Sequence, residues 1–396
     1  MSGSPAGPGL ASRLSVNVAT PRVPSSVWGA FLRTMLAGAP SSALPLLGGP
    51  LVALPDHVVA AGHAAVAADA RAPFNGAEDL RHAIAAKLAR ENDVIVDPES
   101  EVMVTNGAMH ALLSTLAAYV EPGVDVIMSG PNFFAHRQVE LLGGKPIIVP
   151  PGPGMRMDIE RLDDAITPAT KVMILINPGN PTGVVATPAE LLAVADLARR
   201  HDLVVVSDEA YEKFLYDGSS HTSLASLPEA AGRTLTIHSF TKSYALRGSR
   251  VGFVAGPQEI LAPVMKSVEW SCLAVNPYSQ AMACAALTGP QDWLRDAYAS
   301  FDRNRLLLLD ALGNSDEYEL VSPQGGPFLY VRLCTGGSAE AFCKFVLCEY
   351  GLPVIPGPEF GHPAPEGDFY FRLPFGGEEA DIRAAIEALD RGRAHG

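Results

Sequence analysis

The stretch TLTIHSFTKSYALRGSRVGFVAG, residues 234–256, decides how the rest of the chain is read. It opens and closes on β-branched, nearly continuous apolar runs, TLTIHS and RVGFVAG. Such runs suit strands buried on both faces of a sheet. Ser239 closes the first run, Arg250 opens the second, and Lys242 and Arg247 stand between them. A solvated basic loop and a built anion site are both consistent with that composition. What separates the two is the company these charges keep elsewhere in the chain.

Working outward, the same kind of run recurs at EVMV (101–104), DVIMS (125–129), PIIVP (146–150), KVMILI (171–176) and DLVVVSDEA (202–210). Helical patterns alternate with them. In residues 77–92, Leu80, Ile84 and Leu88 share one face, and in 108–120 Met109, Leu112, Leu113 and Leu116 do the same. Alternating short strands and helices predict an α/β unit with a mostly parallel sheet. The segment 285–292 reads as a boundary, followed by a helix, strand, helix and strand mixture of α+β character. The expected organisation is a flexible N-terminal arm over 1–20, a large domain over 56–289, and a smaller α+β domain from 21–55 and 290–396.

The 396 residues carry a formal net charge of −14, which argues against a general nucleic-acid binder but says nothing about a local anion pocket. No stretch approaches the roughly 18 apolar residues of a membrane span. The first residues, rich in Gly, Ser, Pro and Ala, lack the pattern of a secretion signal. The cysteines (Cys272, Cys284, Cys334, Cys343 and Cys348) are odd in number and show no C-x-x-C spacing. We read most of them as core residues, in a reducing, cytoplasmic environment, with no metal site.

Four of the strand-like runs end in polar or glycine-rich turns, and ligands of open α/β sheets bind at the carboxyl ends of strands. Thr105-Asn106-Gly107-Ala108 leads into a helix, whose free N–H groups suit an anion, although an ordinary turn reads the same way. INPGNPTG (176–183) is punctuated by two Asn-Pro steps, which would hold the Asn180 amide in one orientation and suit a cis bond at Asn180–Pro181. Asp208 and Glu209 follow a buried run, where a carboxylate needs a cation or donors unless it caps a helix. The fourth turn holds Ser239, Lys242 and Arg250. Together they offer an anion cradle, a lysine, a carboxylate, an oriented amide and the Tyr211 phenol. Pyridoxal 5′-phosphate, with its phosphate, aldehyde and basic ring nitrogen, would use every part.

With TNGA, NPGNPTG, SDEAY and S-x-x-K followed by R-x-G in this order, the sequence resembles the class I/II aminotransferases of fold type I, the aspartate aminotransferase superfamily, over about residues 45–380. The resemblance implies a large domain with a seven-stranded, mostly parallel sheet, a smaller α+β domain, and a homodimer with shared active sites. It implies a pyridoxal-phosphate enzyme that works on an α-amino acid through an external aldimine and a quinonoid. Lys242 would carry the cofactor and move protons, Asp208 would pair with the ring nitrogen, and Asn180 and Tyr211 would bind the ring hydroxyl. Gly107, Ala108, Ser239 and Arg250 would bind the phosphate, Met109 would touch the cofactor, and Phe133 would stack on the ring. Arg372, Asn180 and Gly48 would meet the substrate carboxylate. Transamination is the expected outcome; elimination, replacement or cyclisation of an unusual anionic substrate is the alternative. A nicotinamide dehydrogenase lacks its glycine fingerprint here, and a ligand sensor lacks the added basic helix-turn-helix.

The chain also departs from that family. Gly48-Gly49-Pro50-Leu51-Val52 lacks two usual acids, Arg71 stands where an active-site tyrosine is common, and His136 replaces a second tyrosine. Arg71 is therefore expected to reach the partner's site and bind the cofactor phosphate or an anionic substrate group, whereas Arg247 reads as solvated.

Overall fold

The computed structural model describes residues 44–46, 48–49 and 52–392. The expected arm over 1–20, and residues 21–43 of the expected smaller domain, lie outside the described residues.

The larger sheet has seven strands: β1 (Val102–Thr105), β2 (Asp125–Ser129), β3 (Lys145–Val149), β4 (Thr170–Ile176), β5 (Val204–Asp208), β6 (Thr234–Ser239) and β7 (Gly252–Ala255). Their order is β1-β7-β6-β5-β4-β2-β3, and only β7 runs against its neighbours. The apolar runs are continuous because both faces are covered. Val126, Met128, Val172, Ile174 and Val206 pack on one side with helices Ala108–Tyr119 and Gln258–Cys272. Ile127, Met173, Leu175 and Val205 pack on the other with helix Pro188–Arg200. Side chains alternate across a strand, so each strand feeds both layers. The helix Pro188–Arg200 starts where its sequence says it should: Thr187 and Glu190 form a reciprocal capping box, and Pro188 occupies the first turn.

Leu80, Ile84 and Leu88 are fully buried, as their spacing requires. The expected stripe on helix Ala108–Tyr119 holds only for Leu112 and Leu116; Met109 is 39% exposed. Met109 sits in the first turn of that helix, beside the strand-end turn, and so faces a cavity instead of the core.

The smaller sheet is antiparallel, ordered β10 (Ile355–Pro356), β11 (Tyr370–Pro374), β9 (Phe328–Leu333), β8 (Tyr318–Val321). Phe371 and Leu373 of β11, with Leu329, Val331 and Leu333 of β9, turn one way into a core with helices Asp292–Gly313, Ala339–Tyr350 and Glu379–Gly392. Arg372 pairs in register with Tyr330. Alternation sends both to the opposite face, toward the larger sheet. Leu46 and Tyr211 join the same core as β9 and β11.

Candidate active site

The turns after β1, β2, β5 and β6 meet in one cavity of about 280 Å³. Its wall includes Gly48, Ala108, Met109, Phe133, Asp208, Tyr211, Ser239, Lys242, Arg250 and Arg372. Asn180 stands just behind, donating from Nδ2 to Tyr211 Oη at 3.0 Å and accepting at Oδ1 from Arg372 Nη1 at 2.9 Å. Gly107 also lies at the rim, with φ +80°. A Cβ there would stand 3.0 Å from Arg250 Nη2, so the missing side chain leaves the guanidinium room beside the start of helix Ala108–Tyr119. Gly252 explains the glycine of R-x-G: a Cβ would fall 2.7 Å from His238 O and 2.9 Å from Ala108 N. Without one, β7 slips between β1 and β6 and brings their turns together. Both Asn–Pro bonds of the β4 turn are cis.

Lys242 rides a one-turn helix, Phe240–Ser243, directly after β6. Its Nζ donates to Gly48 O at 2.8 Å. Removal from water lowers its pKa to about 8, with Arg372 and Arg250 adding repulsion and Asp208 partly opposing them. Desolvation raises Asp208 to about 6, an effect to which Glu209 adds, while the Ala210 N–H and Lys242 oppose it. Burial holds the Tyr211 phenol above its ordinary range, so it stays a donor at neutral pH.

Arg372 is the least solvated cation in the wall. It is 8% exposed, and burial lowers its pKa to about 10. Its guanidinium lies 4.1 Å from the ring centre of Phe328, 5.0 Å from Phe360 and 5.5 Å from Phe133. Among the described residues its buried Nε has no hydrogen-bond partner. A desolvated guanidinium with a free donor, facing a cavity, is a ready receptor for a carboxylate.

Arg71 stands apart from this cavity. Its side chain is 90% exposed and, among the described residues, meets only the Asp69 carboxylate, at 3.7 Å. His136 is buried; burial lowers its pKa to about 4, so it is neutral, and among the described residues both ring nitrogens lack partners. The sequence did not single out Leu46, Thr241, Phe328, Pro353 and Pro374, which complete the wall. Thr241 was findable, since it lies between Ser239 and Lys242 and accepts from Arg250 Nη1 at 3.0 Å. The apolar members carry no local signal that separates them from core residues.

Comparison with known proteins agrees with this arrangement. The family model for aminotransferase class I and II matches residues 50–389. An aspartate aminotransferase of Pyrococcus abyssi is 34% identical over 325 residues, covering 81% of this chain and 82% of the relative. An arginine–pyruvate transaminase of Pseudomonas aeruginosa is 35% identical over 326 residues, with the same coverage. The solved N-succinyldiaminopimelate aminotransferase of Mycobacterium tuberculosis superimposes with a TM-score of 0.88 at 28% identity, covering 96% of this chain and all of that one.

Proposed function

The chain belongs to the class I and II aminotransferases and is an aminotransferase of amino acids, and from that premise we propose that it works with pyridoxal 5′-phosphate on Lys242, as a homodimer. The observation that carries this reading is the convergence of Lys242, Asp208, Arg250 and Arg372 on one cavity. The residues fit the group. The space left by Gly107 beside Arg250, next to a helix start, suits a phosphate, and the partnerless Nε of Arg372 suits a carboxylate at the other end.

In this proposal Gly107, Ala108, Ser239 and Arg250 hold the phosphate, Met109 lines the cofactor's space, and Phe133 lies against the ring. Asn180 and Tyr211 donate to the ring hydroxyl oxygen. Asp208, ionised above about pH 6, keeps a proton on the ring nitrogen. Bound in this way, the cofactor supplies an electron sink for the pair left when the amino acid loses its Cα proton. Lys242 is the group to take that proton and return it, because its lowered pKa leaves a useful neutral fraction near pH 7. Arg372, with Asn180 and Gly48 beside it, fixes the substrate carboxylate, and the Phe328, Phe133 and Leu46 side chains exclude water.

Arg71 enters the proposal as a residue given to the partner subunit's cavity, where it meets the cofactor phosphate or an anionic substrate group. Its loose exposed pair with Asp69 holds it weakly at home. A cytoplasmic location is also proposed, on the cysteine spacing; among the described residues no helix is long and apolar enough to cross a membrane.

The test is a half-reaction. Purified enzyme loaded with pyridoxal phosphate is mixed with single amino acids, and the cofactor spectrum and released keto acid are followed together. Conversion of the cofactor to its amine form with one keto acid per site is expected. Keto acid and ammonia released with the cofactor spectrum unchanged would overturn transamination in favour of elimination.

A further inference from the structure

Glu209 follows the ring-nitrogen carboxylate in sequence but turns away from the cavity, and it is fully buried. Its Oε1 accepts from Ser207 Oγ at 2.8 Å and Ser223 Oγ at 3.0 Å. Its Oε2 lies 3.0 Å from His221 Nε2 and 3.8 Å from His238 Nε2. His221 turns its Nδ1 toward Asn177 Nδ2 at 3.4 Å, and the Asn177 N–H donates to Asp208 O at 3.0 Å. Farther in, Glu212 lies 3.4 Å from His238 Nδ1 and bonds to Lys87 and Asn92. Burial works against ionisation of Glu209, but His221, His238 and Ser207 outweigh it and hold the carboxyl below its usual range. Glu209 and then Glu212 outweigh burial at His221 and hold that imidazole above its usual range. An ionised carboxylate is thus kept next to Asp208 at the cost of a second buried ion. A brace would not need one, since an uncharged amide could accept the same hydroxyl hydrogen bonds.

We infer that Glu209, with His221 as its counter-ion, is a positioning residue of the reaction, whose buried charge strengthens the hold of Asp208 on the proton carried by the cofactor ring nitrogen. This rests on the cofactor reading above. Two carboxylates in consecutive residues each make the other bind protons more tightly. The other charged or titratable groups facing Asp208 are Lys242, which acts in the opposite sense, and Tyr211. Those facing Glu209 are His221 and His238, and those facing His221 are Glu209, Glu212 and Lys87. A ring nitrogen held protonated is the stronger electron sink, so Glu209 would tune the chemistry without touching the cofactor.

The test uses holoenzyme reconstituted with pyridoxal phosphate labelled with ¹⁵N at the ring nitrogen. The ring resonance is followed from neutral to alkaline pH in the wild type, Glu209→Gln and His221→Asn. Glu209→Gln should lose the ring proton about one pH unit lower than the wild type, with the lysine-linked cofactor absorbance retained. His221→Asn, which leaves the Glu209 charge uncompensated, should lose it at higher pH. A purely structural part would move both variants in one direction, and that result, or a Glu209→Gln titration matching the wild type, overturns the inference. If Glu209→Gln does not fold, His221→Asn decides alone: an unchanged or lowered titration overturns the inference. A wild type without lysine-linked absorbance removes the cofactor reading itself, before any variant is compared.

Discussion

Arg250 and Arg372 enter one cavity from opposite sheets, and they are built in opposite ways. Arg250 is exposed and already shares its Nη1 between Thr241 Oγ1 at 3.0 Å and Arg247 O at 3.3 Å. Arg372 is buried among three phenylalanine rings, holds one amide oxygen and leaves its Nε free. A solvated cation contributes modestly to binding, because water competes for it. A desolvated cation has already lost its water, so an arriving carboxylate replaces missing partners and removal of the fork costs far more. The large-sheet end therefore suits a resident dianion gripped by many weak contacts, and the small-sheet end suits a transient monoanion recognised by one strong contact.

Lys242 stands between the two ends, and its loss should have the largest effect. Lys242→Ala should remove the lysine-linked cofactor absorbance and lower turnover by roughly 10⁴-fold or more, because both the attachment and the proton carrier go. Stopped-flow absorbance with a keto-acid assay checks it. Asp208→Asn comes next: kcat should fall by on the order of hundreds-fold, the equivalent of a few kcal/mol, with a smaller change in cofactor affinity. A kcat equal to wild type would leave Asp208 as a mere acceptor of the Ala210 N–H.

The comparison itself is tested by making the same change at both arginines. Arg372→Lys should raise KM and lower kcat/KM by about 30- to 100-fold, roughly 2–3 kcal/mol, since a lysine cannot form the fork. Arg250→Lys should weaken cofactor binding only several-fold, because Ser239, Thr241 and the helix start remain. Equal losses at the two sites would end the distinction between a solvated and a desolvated end.

A gentler probe is pH. The Lys242 pKa is lowered to about 8, and only the neutral amine attacks an aldehyde, so the rate at which apoenzyme captures the cofactor should rise about tenfold per pH unit and level off near pH 8. A profile still climbing at the pH of an ordinary lysine would show that neither burial nor the charges of Arg372 and Arg250 act on it. The smallest effect is expected at the rim. Arg71→Ala should raise KM for anionic substrates several-fold with an unchanged cofactor spectrum, or lower cofactor retention if the guanidinium serves the phosphate.

Much of the cavity was legible because its polar members sit in punctuated turns: Gly107 before a helix, Asn180 between prolines, Asp208 and Ser239 at the ends of apolar runs, Lys242 just after. Residues that act through packing left no such trace. Phe328 and Phe360 are ordinary aromatics in sequence, yet they desolvate Arg372 only because β9, β11 and the 357–360 turn stack beside it. His221 lies in an unpatterned loop, and its bond to Glu209 spans 12 residues. Met109 shares the helical spacing of Leu112 and Leu116, but its place in the first turn puts it at the cavity, on the side where the family resemblance also sets it.

The sequence by itself determined the alternation of strands and helices, the faces of most helices, and which turns carry charge, because those depend on periodicity and on local backbone chemistry. Tertiary structure alone decided how strongly each charge would act. Arg250 and Arg372 are the same residue type, and nothing within a few residues of either says that one is exposed and the other caged. Solvation is a property of everything within several ångströms, and those neighbours come from chain segments more than a hundred residues apart, such as Asn180 and Arg372. The pKa of Lys242, the free donor of Arg372 and the charge behind Asp208 therefore exist only once the two sheets are packed together.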